Sequence, residues 1–324
     1  MKLKQLMCGL CVSFLILSVF AIPGFGAVDE AEINKIAESY KFTDEVFEIY
    51  GPYTYAGHPY ILIRYSLAGS EMTTAAVVID SETGKVITDT NLAEKIITAF
   101  VVSLIISPQY ISGLEGESEY LSLYQIMMNE NMKAVESTSI TYGSISYLGL
   151  IRVCQQNGKV YSDLKENTDE RTAVAKKIYA GDKSYENAKK YLELEEKQIA
   201  KMEELAVLLK DFRVQSLIYY DSVLEKVPNS DRSAWEKSKA TYIEDVDVTT
   251  SQTAAALTGE KELLNLLEVY IAYSTEAMNE RLAEFGLAGE GTEEPTSRKI
   301  PGFGSLITVF AILTAGILIK RKKT

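Results

Sequence analysis

The sequence predicts a mostly α-helical protein: a small α+β module at residues 28–90, then a helical bundle or antiparallel coiled coil at 91–285. A flexible acidic stalk at 286–299 and a C-terminal transmembrane helix within 300–324 follow. Three observations carry this reading. Apolar residues recur at steps of three and four through much of 91–285. Apolar β-branched runs of strand length stand at Ile61–Tyr65 and Ala75–Asp80. An uncharged stretch of twenty residues, Ile300 to Ile319, is followed by Lys320, Arg321, Lys322 and Lys323.

The N-terminus opens with Lys2 and Lys4, runs apolar from Leu6 to Ile22 and exits through the small residues of Gly24-Phe-Gly-Ala27. Residues 1–27 therefore read as a secretory signal peptide. Cleavage falls after Ala27 or after Ala21; Phe25, at the third position before the Ala27 site, fits it poorly. An uncleaved N-terminal anchor is the alternative. Cys8 comes too early, behind Met7, to be a lipoprotein cysteine.

The α+β module begins with helical spacing at Ile33, Ile36, Ala37 and Tyr40, and with acidic residues in the first turn. Tyr53 to Tyr60 is aromatic and turn-rich. Ile61 to Tyr65 and Ala75 to Asp80 read as strands, broken by Gly69-Ser70. Ser81-Glu-Thr-Gly84 then turns the chain into Lys85-Val-Ile-Thr88, with Gly84 supplying a positive φ. The run Val78-Ile-Asp-Ser-Glu-Thr-Gly-Lys-Val86 resembles PepSY-like modules of secreted proteins. That resemblance implies a small non-enzymatic module of the cell exterior, in some cases linked to control of a peptidase. The same run is also a generic hairpin written by turn chemistry.

The bundle begins with a helix from Asn91 to Ile106, starting near Asp89 and stopping at Pro108. Its uncharged part, Ile96 to Ile106, is too short for a bilayer and suits a central bundle helix. Glu117 to Lys165 reads as helical; the β-branched Ser137–Gly143 leaves room for a kink or strand, and Asn157-Gly158 is a weak point. Asp169 to Ala180 reads as a short helix ending at Gly181. Over 182–226, Met202, Leu205, Leu209, Phe212, Ser216, Tyr219 and Val223 form a heptad-like stripe, either bundle core or oligomer seam. Pro228 stops it, a helix to Ile243 is capped near Ser230–Ser233, Gly259 interrupts, and Glu260 to Phe285 resumes. Gly286, Gly289, Gly291, Glu290, Glu293, Glu294 and Pro295 cannot build a core and make the stalk.

The tail carries its own logic. Twenty helical residues rise about 30 Å, the thickness of a hydrocarbon core, and the four basic residues behind them stay cytoplasmic. Pro301, Gly302 and Phe303 stand at the outer boundary of the span. A short motif, an apolar span and a basic stop resemble the PGF-CTERM signals of archaeal surface proteins. The resemblance implies an archaeosortase-type processing enzyme, cleavage near Pro301-Gly-Phe303 and transfer of the new terminus to a lipid. An uncut tail anchor is the alternative.

Charge agrees with an exterior protein. The chain has a formal net charge of −12, and six of its 33 basic residues but none of its 45 acidic ones lie in 1–27 and 301–324. The acidic exterior favours solubility and speaks against nucleic-acid binding. Once Cys8 and Cys11 leave with the signal peptide, Cys154 stands alone, so no intramolecular disulfide is expected. Its apolar surroundings point to a buried thiol rather than an intermolecular bridge. The sequence offers no Asn-x-Ser/Thr acceptor for N-glycosylation.

Catalytic chemistry has little to work with. His58 is the one histidine, and its Gly-His-Pro setting suits a turn or aromatic packing against Tyr55 and Tyr60. Glu244-Asp-Val-Asp247 and the Asp80, Glu82, Thr83 turn hold oxygen ligands but lack EF-hand spacing. No cofactor and no metal site is expected. The reading is a non-enzymatic archaeal envelope protein with residues 28–299 outside the cell, in a structural, adhesive or interaction role. Its expected partners are the membrane, the processing enzyme and other envelope proteins. The alternatives are an extracellular ligand- or peptide-binding sensor, and a regulator of an extracellular peptidase.

Overall fold

The computed structural model describes residues 28–69, 73–143 and 145–287. Among them are six helices and one three-stranded antiparallel sheet, so the mostly helical fold class holds. The signal segment with Ala27, the greater part of the stalk and the tail with Pro301, Gly302 and Phe303 lie outside the described residues. The chain divides into two compact units. Among the described residues, the first takes those in 28–111, 175–190 and 266–287, and the second takes those in 112–174 and 191–265.

In the first unit, helix α1 (Glu30–Ser39) starts where the Asp29 carboxylate accepts the Glu32 N–H at 2.7 Å. Glu30 and Glu32 add favourable charge at its N-terminus. Strands β1 (Glu45–Tyr55), β2 (His58–Leu67) and β3 (Thr73–Asp80) follow, in the order β1-β2-β3. The central strand β2 is buried along most of its length. Ile61, Ile63 and Tyr65 meet Ile33 and Ala37 of α1 and Val77 and Ile79 of β3, and the Tyr65 hydroxyl donates to the Ala37 carbonyl at 3.0 Å.

Strand β1 corrects the sequence reading, which took Tyr53 to Tyr60 as turn-rich. Tyr55 pairs with His58 across a two-residue turn. Ala56 and Gly57 both have positive φ there, 50° and 79°. The pairing shifts between Tyr50 and Tyr53, at Gly51-Pro52. Proline is tolerated because β1 is an edge strand and this is a bulge. Gly51 is required at φ 128°, since an added Cβ would come within 2.9 Å of the Tyr60 carbonyl oxygen.

The turn after β3 forms as expected. Asp80 Oδ1 accepts the N–H groups of Glu82 and Thr83, each at 2.9 Å, and Gly84 has φ 69°. Beyond it, pairing is one bridge, Ile79 with Val86, and not a full strand.

Helix α2 (Thr90–Ile105) begins at Asp89, whose carboxylate accepts from Asn91 and Leu92 N–H. Its apolar residues are buried, and Phe100 meets the rings of Tyr50 and Tyr53 on β1. Pro108 opens α3 (Pro108–Tyr142), with Ser107 Oγ accepting from Tyr110 N–H. Among the described residues no single helix is long and apolar enough to cross a membrane; α2 and α3 pass that test only together, and they are bent by 72°.

The second unit is a four-helix bundle built from those parts of α3, α4 (Leu148–Tyr179), α5 (Tyr185–Leu224) and α6 (Asn229–Glu284) that fall in 112–174 and 191–265. Partner numbers run in opposite directions along each neighbouring pair. Ser118 bonds Asp169 between α3 and α4. Lys201 pairs with Asp163, and the Ser146 N–H just ahead of α4 donates to Ser222 on α5. Lys261 pairs with Glu203 and Arg213 with Asp247 between α5 and α6. Tyr124 bonds Thr249 and Tyr142 meets Trp235 between α3 and α6. The arrangement is therefore up-down-up-down. The seven-residue stripe from Met202 to Val223 is wholly buried, which makes it bundle core and not an oligomer seam.

Of three weak points in the helical pattern, one ends a helix and two do not. The chain does leave helix at Gly143, which has φ 60° and whose N–H caps the Ser139 carbonyl. Asn157-Gly158 does not break α4, so the separate helix expected from Asp169 is the second half of one element ending near Gly181. The Asn157 amide donates to the Val153 carbonyl, and Gly158 faces Met128 of α3. Gly259 does not interrupt α6, whose neighbours on both sides keep their helical bonds.

Candidate functional site

The residues singled out from the sequence do not converge. His58 Nε2 lies 3.0 Å from Asp80, Nδ1 lies 3.8 Å from Glu82, and its ring meets Tyr60 at 4.9 Å. It ties the β1–β2 turn to the β3 turn. Burial opposes the charge on Asp80, yet hydrogen bonds from Thr83 N–H, His58 and Glu82 N–H outweigh it and hold its carboxyl below the usual range. In the other unit Asp247 is taken by Arg213 at 2.6 Å. With Glu244, Ile243, Val248 and Gln252 it lines a shallow open groove along one face of α6. Among the described residues no group of three or more His, Cys, Asp or Glu is arranged to hold a metal. Cys154 is buried and free, and burial pushes its thiol up to about 12.

The most polar constellation in the bundle was not read from the sequence. It lies where α3, α4, α5 and α6 meet. Arg171 of α4 is 0 % exposed and reaches Glu195 of α5, with Nε donating at 3.1 Å and a terminal nitrogen at 2.6 Å to the same oxygen. That terminal nitrogen also lies 3.3 and 3.4 Å from the two carboxyl oxygens of Glu260 on α6. The other one stands 3.8 Å from Glu117 on α3. Tyr191 donates a hydrogen bond to Glu195. Gln198 donates to Glu117 at 2.7 Å and to Thr168 at 3.1 Å, and the Asn167 amide donates to Gln198 at 2.9 Å and to the Leu194 carbonyl at 2.8 Å.

Electrostatics divides the three carboxyls. All are desolvated, which favours their neutral form. For Glu195 the Arg171 charge and the Tyr191 hydroxyl outweigh that, so its carboxyl is held below the ordinary range. For Glu117 burial wins over Arg171, and the Glu195 charge adds to it, so it is raised. Burial pushes Glu260 up to about 8, again against Arg171 and with help from Glu195 and Glu117. Near neutrality the stable form is an Arg171–Glu195 ion pair with protonated Glu260 hydrogen-bonded to it.

A signal for this cluster does exist in the sequence. The stripe on α5 continues backwards from Met202 at the same spacing onto Gln198, Glu195 and Tyr191, all buried. On α6, Glu260, Leu267, Ser274 and Arg281 are buried at intervals of seven. A polar residue at a core register, rather than a polar residue as such, is what marks it.

Arg281 anchors a second buried charge network, in the first unit. It pairs with Glu45 at 2.6 Å and donates to the Tyr40 carbonyl at 2.9 Å. Its guanidinium carbon lies 4.1 Å from the Phe42 ring centre and 4.9 Å from that of Tyr65.

Comparison with known proteins adds the tail. No curated protein and no solved structure matches the chain. Residues 300–322 match the PGF-CTERM motif, the archaeosortase-sorted C-terminal signal, and the chain is by that signal a secreted archaeal protein of the cell surface, attached to the membrane.

Proposed function

We propose that the protein is a non-enzymatic component of the archaeal envelope, a helical ectodomain that serves a structural or interaction role at the surface. In this reading residues 1–27 direct export and are removed, 28–299 face outward, and Pro301, Gly302 and Phe303 are the residues the processing enzyme reads. The observation that carries it is the PGF-CTERM match at 300–322. The interior supports it. The buried charged side chains around Arg171 are engaged in joining four helices to one another, as a scaffold requires.

Cross-linking in intact cells tests the reading, comparing the wild type with a chain that lacks 300–322. The expected result is membrane-bound wild-type protein cross-linked to surface-layer proteins or to itself, with both the anchoring and the adducts lost on deletion. Wild-type protein found inside the cell, or inert to cross-linking at the surface, contradicts it.

A further inference from the structure

The four groups at the centre of the second unit do not balance in charge. Arg171 from α4 faces Glu117 from α3, Glu195 from α5 and Glu260 from α6, with the Tyr191 hydroxyl of α5 beside them. Fully ionised, this set would place two uncompensated negative charges in packed surroundings. Arg171 and Glu195 are wholly buried there, and the side chains of Glu117 and Glu260 are about nine-tenths buried. Such a charge is far more costly to keep than to neutralise with a proton.

Glu260 is also one of the few deeply buried ties of α6 to this unit. Of the residues of α6 in 229–265, Val246 and Glu260 are the buried ones. Trp235, Tyr242, Ala256 and Leu257 pack on the core while partly exposed. The pairs Arg213–Asp247, Lys239–Asp221 and Lys261–Glu203 lie at the surface, where ion pairs hold weakly. The other three helices contribute long buried stripes and do not depend on one carboxyl.

We propose that the 229–265 segment of α6 is latched into the bundle by a proton held on the Glu117–Glu195–Glu260 set, and that loss of this proton in alkaline surroundings releases the segment from the other three helices. Protonated, Glu260 donates a hydrogen bond to the Glu195 carboxylate. Ionised, it confronts that carboxylate and Glu117 with like charge, and Arg171 is already paired. The position of Glu260, raised to about 8, puts the release in mild alkali. A protein held at the cell surface meets the outside pH directly, so the latch would report it.

Hydrogen–deuterium exchange of the full-length chain in detergent micelles at pH 6, 7.5 and 9, corrected for the intrinsic exchange rate, tests this. Peptides from 229–265 should lose protection at least tenfold between pH 6 and 9, while β2 peptides keep theirs. Trp235, the one tryptophan, lies on this segment against Tyr142 and Tyr220, and its emission should shift to the red over the same range. Glu260→Gln should stay protected at pH 9. Unchanged protection and unshifted emission in the wild type would overturn the latch, as would equal loss in Glu260→Gln. A Glu260→Gln chain already unprotected at pH 6 would count against it too, because glutamine is the neutral, hydrogen-bonding shape that the proton creates.

Discussion

The guanidinium of Arg281 lies 2.6 Å from the carboxylate of Glu45, 236 positions earlier in the chain. Both side chains are nearly wholly buried, at 2 % and 4 % exposed. The second Glu45 oxygen accepts the Phe42 N–H at 2.9 Å, so one ion pair organises the loop between α1 and β1 and fastens the C-terminal turns of α6 to it.

Removing one partner leaves the other charged and buried. Arg281→Leu should cost about 3–5 kcal/mol, as expected for a broken buried pair. The double change Arg281→Leu, Glu45→Leu should cost less than the single one. Arg281→Lys should not restore stability, because lysine lacks the flat fork that bonds Glu45 and Tyr40 while lying on Phe42. Urea unfolding of the three variants decides it.

The pH dependence of stability follows from the Arg171 cluster. Glu260 is raised from 4.5 to about 8 on folding. Its contribution is full below the unfolded value and fades as pH rises toward 8, because the folded chain keeps a proton that the unfolded chain gives up. Glu117, also raised, adds to the same fall. Glu195 is lowered, so its contribution is present above the unfolded value and lost in acid. Stability should therefore peak near pH 5 and decline toward pH 8, by up to about 1.4 kcal/mol per pH unit for each proton. Urea midpoints measured from pH 4 to 9 should show this, and Glu260→Gln should flatten the alkaline side. A midpoint that rises steadily from pH 5 to 8 contradicts the assignment.

Cys154 should be silent in the native state. Its thiol is buried and raised to about 12, so the thiolate that alkylating reagents need is scarce as well as inaccessible. Iodoacetamide at pH 8 should label it only after denaturation. Fast labelling of the folded protein would show that the α4 interface opens readily.

Gly259 should be replaceable with profit. It sits inside α6, and an added Cβ would meet nothing within 4 Å. Gly259→Ala should stabilise the chain by about 0.5–1 kcal/mol through the entropy of the unfolded state. A loss of stability would mean that this position bends α6 for a purpose.

How much was legible follows from what each residue competes against. The stripe from Met202 to Val223, the stops at Pro108 and Pro228 and the turn at Gly84 rest on local chemistry, and they stand as read. Strand β1 was hidden because Pro52 and Ala56-Gly57 look like loop residues; a bulge at an edge strand and a positive-φ hairpin absorb them. Gly158 and Gly259 looked like breaks, because propensity alone weighs against glycine, but the packing and length of α4 and α6 outweigh about 1 kcal/mol. The Arg171 cluster was missed because Glu and Arg on helices rich in charge read as solvated. Only their register with the buried stripe separates Glu195 and Glu260 from their exposed neighbours.

The tail bears most directly on the account, since surface attachment through a processed PGF-CTERM signal underlies the proposed role. Pro301, Gly302 and Phe303 fall within the matched segment. Lys299 and Lys320 bracket a tryptic peptide that contains both the motif and the apolar span. Mass spectrometry of mature protein from envelopes should fail to find this peptide in the wild type and should recover it when Pro301-Gly-Phe303 is changed to three alanines, a change that leaves the span apolar. Recovery of the intact peptide from mature wild-type protein would contradict processing and leave a chain held in the membrane by an uncut tail.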